Sequence, residues 1–190
     1  MIFGALSMNY DMINLFFAFS FLGWVMEVIV IKRETGKLEN RGFASTPFCI
    51  IYGFGVMAGY QVLAPLTGHF VALYIIGALG ATAFEYIVGR AMIKTFGKLW
   101  WDYSEKPLNY QGIICLESTI GWGFGAVLVV NYIYGFMEGA IVGIPDEISA
   151  CLAVTLTTTY TLDFVLKSCR ELKQRRLGET TEYEELSEAA

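Results

Sequence analysis

From Gly42 to Phe84 the chain runs forty-three residues without one Asp, Glu, Lys or Arg. At about 1.5 Å per helical residue, a bilayer core of about 30 Å takes about 20 residues. The stretch is too long for one crossing and right for two, with Pro65, Gly68 and His69 marking the turn between them. The rest of the chain repeats the pattern at single-helix length. Charged residues make up only 16% of the 190 residues and hydrophobic ones 55%, where a soluble domain carries about 25% charge. So short a chain lacks the polar surface to cover that much apolar area in water. The same composition excludes a disordered chain, a collagen-like chain and a secreted disulfide scaffold.

Five apolar segments are predicted as helices: about residues 12–31, 47–64, 70–89, 113–134 and 148–166. Residues 1–10 carry no Lys or Arg, and the first segment is long enough to span, so it reads as a retained helix and not a cleaved leader. A polar loop is expected over 90–111, and a glycine-rich connection through Gly135, Gly139 and Gly143 to Pro145. Residues 1–166 form the membrane domain of this reading. Residues 167–190 form a cytosolic tail, basic first and acidic from Glu179, the distal part read as solvated. The expected fold is all-α, a polytopic transmembrane bundle.

Charge sets the expected orientation. The thirteen basic residues fall in three groups: 32–41, 90–106 and 167–176. Under alternate crossing, all three lie on one side. The positive-inside rule makes that side cytosolic, with the N-terminus outside and the C-terminus in the cytosol. The net charge of −5 comes mostly from the last dozen residues and is no nucleic-acid signature. Cys49, Cys115, Cys151 and Cys169 have no CxxC spacing, and His69 is the single histidine, so no zinc site is expected. Gly55 with Gly59, Gly77 with Ala81, and Gly121 with Gly125 are small residues four apart, expected to let helices approach closely.

Four acids stand inside the predicted spans: Glu27, Glu85, Glu117 and Asp163. Each costs roughly 2.5–3.5 kcal/mol at mid-bilayer, and each falls about one and a half turns from the basic end of its segment. The reading is a polar chamber open to the cytosol, for a cation, a cationic substrate or a loop arginine; the alternative is snorkelling acids paired for assembly. Thr155, Thr159 and Asp163 share a helix face. The loops add Asn40-Arg41-Gly42 and Trp100-Trp101-Asp102-Tyr103-Ser104, followed by Asn109 and Gly112. Arginine on such a loop suits bidentate capture of a carboxylate or phosphate, while the tryptophans also suit interfacial anchoring. The candidate binding residues are Glu27, Asn40, Arg41, Tyr52, Glu85, Asp102, Tyr103, Asn109 and Glu117. A weak internal repeat is visible: an acid, a basic loop, Asn and Gly, then the next helix, once through Glu27, Asn40 and Gly42 and again through Glu85, Asn109 and Gly112.

In order along residues 10–135, Gly23-Trp24-x-x-Glu27, Asn40-Arg41-Gly42, Pro47, Ile51-Tyr52-Gly53-x-Gly55, Glu85-Tyr86, Trp101-Asp102-Tyr103-Ser104, Asn109-x-x-Gly112 and Trp122-Gly123 resemble the bacterial family of putative ABC-transporter permeases (type IV). The resemblance implies a small polytopic protein of the bacterial cytoplasmic membrane that serves transport. Lys94 and Lys98 stand where that family pattern would place an acid, and the fifth helix carries none of its motifs. No nucleotide site is legible: Gly97-Lys98 is followed by Leu99, with no matching upstream glycine. An ATPase would therefore be a separate chain, and five spans imply a homo-oligomer or partner subunit. Two other readings stand beside this one. The first is a membrane-embedded enzyme acting on a lipid-like substrate with its carboxylates, although no nucleophile set is visible. The second is a non-catalytic sensor or assembly factor, its basic stretch 167–176 held to anionic lipid. No cofactor and no metal is expected.

Overall fold

The computed structural model describes the backbone of residues 2–188 and the side chains of residues 10–33 and 35–178. It is helical almost throughout. The elements are α1 (Ile2–Thr35), α2 (Ile50–Leu63) with one tight turn after it (Ala64–Leu66), α3 (Phe70–Phe96), α4 (Leu116–Leu128), a π turn (Val129–Ile133), α5 (Tyr134–Val142) and α6 (Asp146–Glu188). The segments Tyr10–Arg33, Phe70–Phe96, Leu116–Val142 and Asp146–Gly178 are long and apolar enough to cross a membrane. The α2 segment, Ile50–Leu66, is shorter, about 25 Å at the helical rise.

The boundaries differ from the expected ones for local reasons. Helix α2 starts at Ile50 because residues 41–49 form an irregular segment tied into the bundle. Cys49 N donates to Ser20 O at 3.0 Å, and Thr46 N donates to the Asp163 carboxylate at 2.7 Å. Ala44, from the same segment, is buried with Phe17 and Tyr160. Helix α3 runs seven residues past its expected end, to Phe96, so Arg90 and Lys94 are helical and not in a loop. The loop that follows holds a small antiparallel pairing, β1 (Asn109–Tyr110) with β2 (Ile114–Cys115). Gly135 and Gly139 lie inside α5, not in a connection; the chain turns only at residues 143–145. Helix α6 continues unbroken through the expected start of the tail. Its Glu171 is 5% exposed and pairs with Lys98 at 2.5 Å and Lys167 at 2.8 Å, while Arg175 donates to the carbonyls of Lys94 and Thr95. The acidic side chains from Glu179 onward lie outside the described residues.

Two hairpins, α1–α2 and α3–α4, make the frame. The turn at Pro65 and Gly68 closes α2 onto α3, with Gly68 N donating to the Asn131 side chain of the π turn at 3.0 Å. The core at that end is aromatic: Phe19 and Tyr60 both stack with Tyr134. Helix α6 crosses α1, where the buried Asn14 amide donates to Ser149 O and Oγ at 2.9 Å. Of the small residues spaced four apart, Gly77 touches Ala126 closely enough that a Cβ would collide. Gly59, Gly121 and Gly125 instead face open space.

Candidate functional site

At the end of the bundle that carries the α1–α2 and α3–α4 loops lies a cavity of about 350 Å³. Glu27 reaches it from α1, Tyr52 from α2, Glu85 from α3, Trp122 from α4, and Arg41, Trp100, Trp101 and Tyr103 from the two loops. Four of these side chains form one continuous string. The Tyr52 hydroxyl donates to Glu27 Oε1 at 2.5 Å. The Tyr52 ring packs against the Trp122 ring at 5.4 Å between centroids. Trp122 Nε1 donates to Glu85 Oε2 at 3.0 Å.

Glu85 is the most heavily bonded group in the site. Besides Trp122, it accepts from the Tyr103 hydroxyl at 3.2 Å and from Ser118 Oγ at 3.4 Å, and only 5% of it is exposed. A carboxylate in a low-dielectric interior needs such donors, because neither lipid nor protein carbon solvates it. Burial, then the neighbouring Glu85 carboxylate, pushes the Tyr103 hydroxyl well above the ordinary phenol range. It therefore stays protonated at neutral pH and keeps its role as donor.

The loops are built to hold the cavity rim. Asn40 Oδ1 accepts from Trp24 Nε1 at 2.7 Å and from Gly42 N at 3.0 Å, while its amide donates to the carbonyls of Ala44 and Ser45. Asn109 repeats the device: Oδ1 accepts from Gly112 N at 3.1 Å and the amide donates to the carbonyls of Ser104 and Lys106. Asp102 Oδ1 accepts from the Ser104 hydroxyl and amide, which hold its carboxyl below the usual aspartate range. Gly112, at φ +66°, sits against Asp102 and Ser104 where a Cβ would collide. The turn at Asp102 is expected to persist in mild acid and to loosen only as pH falls below the ordinary Asp value. Hydrogen exchange at the Ser104 amide as a function of pH measures this.

The structure thus brings Glu27, Arg41, Tyr52, Glu85 and Tyr103 to one cavity. Asn40, Asp102 and Asn109 stand behind it as loop braces. Glu117 does not face the cavity. Helix α4 begins at Leu116, not Ile113, so Glu117 falls in its first turn with a side chain 70% exposed and pairs with Lys106 at 3.1 Å. The four intramembrane acids therefore form no single ring, since Asp163 is turned to the Thr46 amide.

Cys49, which lines the cavity, and Ser118, which reaches Glu85, are not among the candidate residues, and Trp122 enters only as part of a motif. Trp122 is legible once the two hairpins are aligned. Tyr52 stands ten residues after Gly42, and Trp122 ten after Gly112. The following glycines match in contact too. A Cβ at Gly53 would strike Phe16, eleven residues before Glu27. A Cβ at Gly123 would strike Tyr74, eleven before Glu85. The α1–α2 and α3–α4 hairpins share one register, and the two acids with their aromatic donors are its equivalent positions.

Four long apolar helices, a short fifth and a half-buried polar string among them define a polytopic helical membrane protein. The chain belongs to the family described as putative ABC-transporter type IV, which matches residues 14–168. The match extends beyond the motif-bearing part of the sequence, through the apolar half of α6. No solved structure matches the chain.

Proposed function

We propose that this chain is the membrane subunit of an ABC-type transport system, with the cavity at Glu27 and Glu85 as its substrate site near the cytosolic face. The observation that carries this reading is the string Glu27–Tyr52–Trp122–Glu85, drawn from four helices of a family of ABC-transporter type. Ionisable groups inside a membrane are costly, and they characteristically mark substrate or ion pathways. The thirteen basic residues gather at the cavity's end of the bundle. By the positive-inside rule this end faces the cytosol of a bacterial cell, with the N-terminus outside. The separate ATPase of this reading docks there, on the loops after α1 and α3 and the basic part of α6.

A native pull-down tests the proposal. The chain is tagged at its C-terminus, extracted in mild detergent, and the stoichiometric partners are identified. An ATPase subunit that co-purifies, with ATP-dependent flux in liposomes, is the expected result. A homo-oligomer that carries no ATPase and passes substrate without ATP overturns it.

A further inference from the structure

A second cavity, of about 450 Å³, abuts the first. Ile51, Tyr52, Phe84, Glu85 and Trp122 line both. Beyond these shared residues its walls are apolar except for Tyr60, and Gly59, Gly80 and Gly125 line it, where a Cβ would meet nothing within 4 Å. Glycines placed for close packing would touch a neighbour, as Gly77 does. These three leave space.

The first cavity differs in chemistry. Both Glu85 oxygens accept: Oε1 from Tyr103, and Oε2 from Trp122 and, at 3.4 Å, from Ser118, whose hydroxyl also reaches the Cys115 carbonyl. Glu27 differs: Oε1 accepts from Tyr52, and Oε2 accepts no hydrogen bond among the described residues. Arg41 lines the same cavity yet makes no ion pair within 4 Å among the described residues. The cavity therefore carries two carboxylates against one guanidinium, and Tyr52, Trp100, Trp101, Tyr103 and Trp122 line it with them; Lys98 Nζ stands 5.1 Å from the centroid of the Trp100 ring. A hard divalent ion takes six or more oxygen ligands or retains its waters. Among the described residues no group of three or more His, Cys, Asp or Glu is placed to hold a metal. Aromatic faces beside a carboxylate suit a cation whose charge is spread over carbon-bearing groups.

We propose that the joined cavities bind an organic ammonium ion, its charged head at Glu27 among the aromatic rings and its apolar body against the glycine-lined wall. This rests on the reading of the cavity as the substrate site.

The probe is benzyltrimethylammonium chloride, titrated into the full chain in nanodiscs. Tryptophan fluorescence is the readout, because Trp100, Trp101 and Trp122 line the first cavity. Wild-type protein is expected to give a saturable change that the neutral isostere neopentylbenzene and the anion benzenesulfonate do not give. Glu27→Gln is expected to raise Kd about tenfold, the loss of one charge-assisted contact. Gly125→Leu fills the second cavity and is expected to raise Kd for the benzyl probe but not for tetramethylammonium. The comparison of cation with isostere needs no variant, so it stands even if a variant fails to fold. Equal binding of the neutral isostere or the sulfonate overturns the proposal, as does an unchanged Kd in folded Glu27→Gln. Cation-selective binding without a co-purifying ATPase upholds the ligand class and removes the ABC reading. An ATPase partner with no cation-selective binding does the reverse.

Discussion

Replacing Glu85 with leucine is expected to lower the unfolding free energy by about 1–3 kcal/mol, the cost of leaving buried donors without their acceptor. The side chain removed is the common acceptor for Trp122, Tyr103 and Ser118, contributed by α4 and by the loop before it. Leucine has similar bulk but accepts nothing. The Trp122 and Tyr103 donors then lose their acceptor, while the Ser118 hydroxyl still has the Cys115 carbonyl at 3.0 Å. Glu85→Gln keeps one acceptor oxygen and is expected to cost about half as much. Reversible denaturant unfolding in micelles, followed by near-UV circular dichroism, separates the two variants. A Glu85→Leu protein as stable as wild type would show that the carboxylate does not organise the site.

The second large effect is steric. Gly23→Val is expected to destabilise the chain by about 1–3 kcal/mol through overpacking. A Cβ at Gly23 would collide with Cβ and Cγ of Tyr52. These atoms are the root of the side chain, so no rotamer change relieves the clash and α2 must move away from α1. Moving α2 also withdraws the Tyr52 hydroxyl from Glu27, so the variant is expected to lose the tryptophan signal of the cavity along with its stability. Gly59→Ala is the matched control. Its new methyl meets nothing within 4 Å, and a helical Gly-to-Ala change gains about 0.5–1 kcal/mol. If Gly23→Val and Gly59→Ala melt alike, the close approach of α1 and α2 is not a constraint on the fold.

The shared register of the two hairpins explains why both effects centre on the same residues. Each hairpin sets an acid on its first helix opposite an aromatic donor on its second: Glu27 with Tyr52, Glu85 with Trp122. Each also sets a glycine under an aromatic ring eleven residues before the acid, Gly53 at Phe16 and Gly123 at Tyr74. The glycine brings the helix axes close, and the closeness lets the donor reach the acid. The halves then diverge. Glu85 also accepts from Tyr103 and Ser118, whereas Glu27 accepts from Tyr52 alone among the described residues.

Much of this protein is written in local chemistry. The forty-three uncharged residues from Gly42 to Phe84 and the segments around them require a membrane bundle, because no soluble surface covers that much carbon. Pro65 and Gly68 mark the turn between α2 and α3, and the Asn and Gly of each loop mark the braces of the cavity. Counting from the basic boundary puts four acids at similar expected depths, but α4 begins at Leu116, so Glu117 stands in its first turn and not five residues in. Height is one coordinate of two. Which way each acid points depends on which neighbour its helix packs against, and on where the helix begins. A start at Leu116 sends Glu117 outward to Lys106, and the irregular segment before α2 takes Asp163 for its Thr46 amide. Spacing cannot distinguish a glycine that touches a helix from one that opens a cavity, because the difference lies in the facing residue: Ala126 meets Gly77, while nothing meets Gly59 or Gly125. Glu27 and Glu85 share a cavity because two hairpins of common register pack side by side, an arrangement set by contacts between residues far apart in the chain.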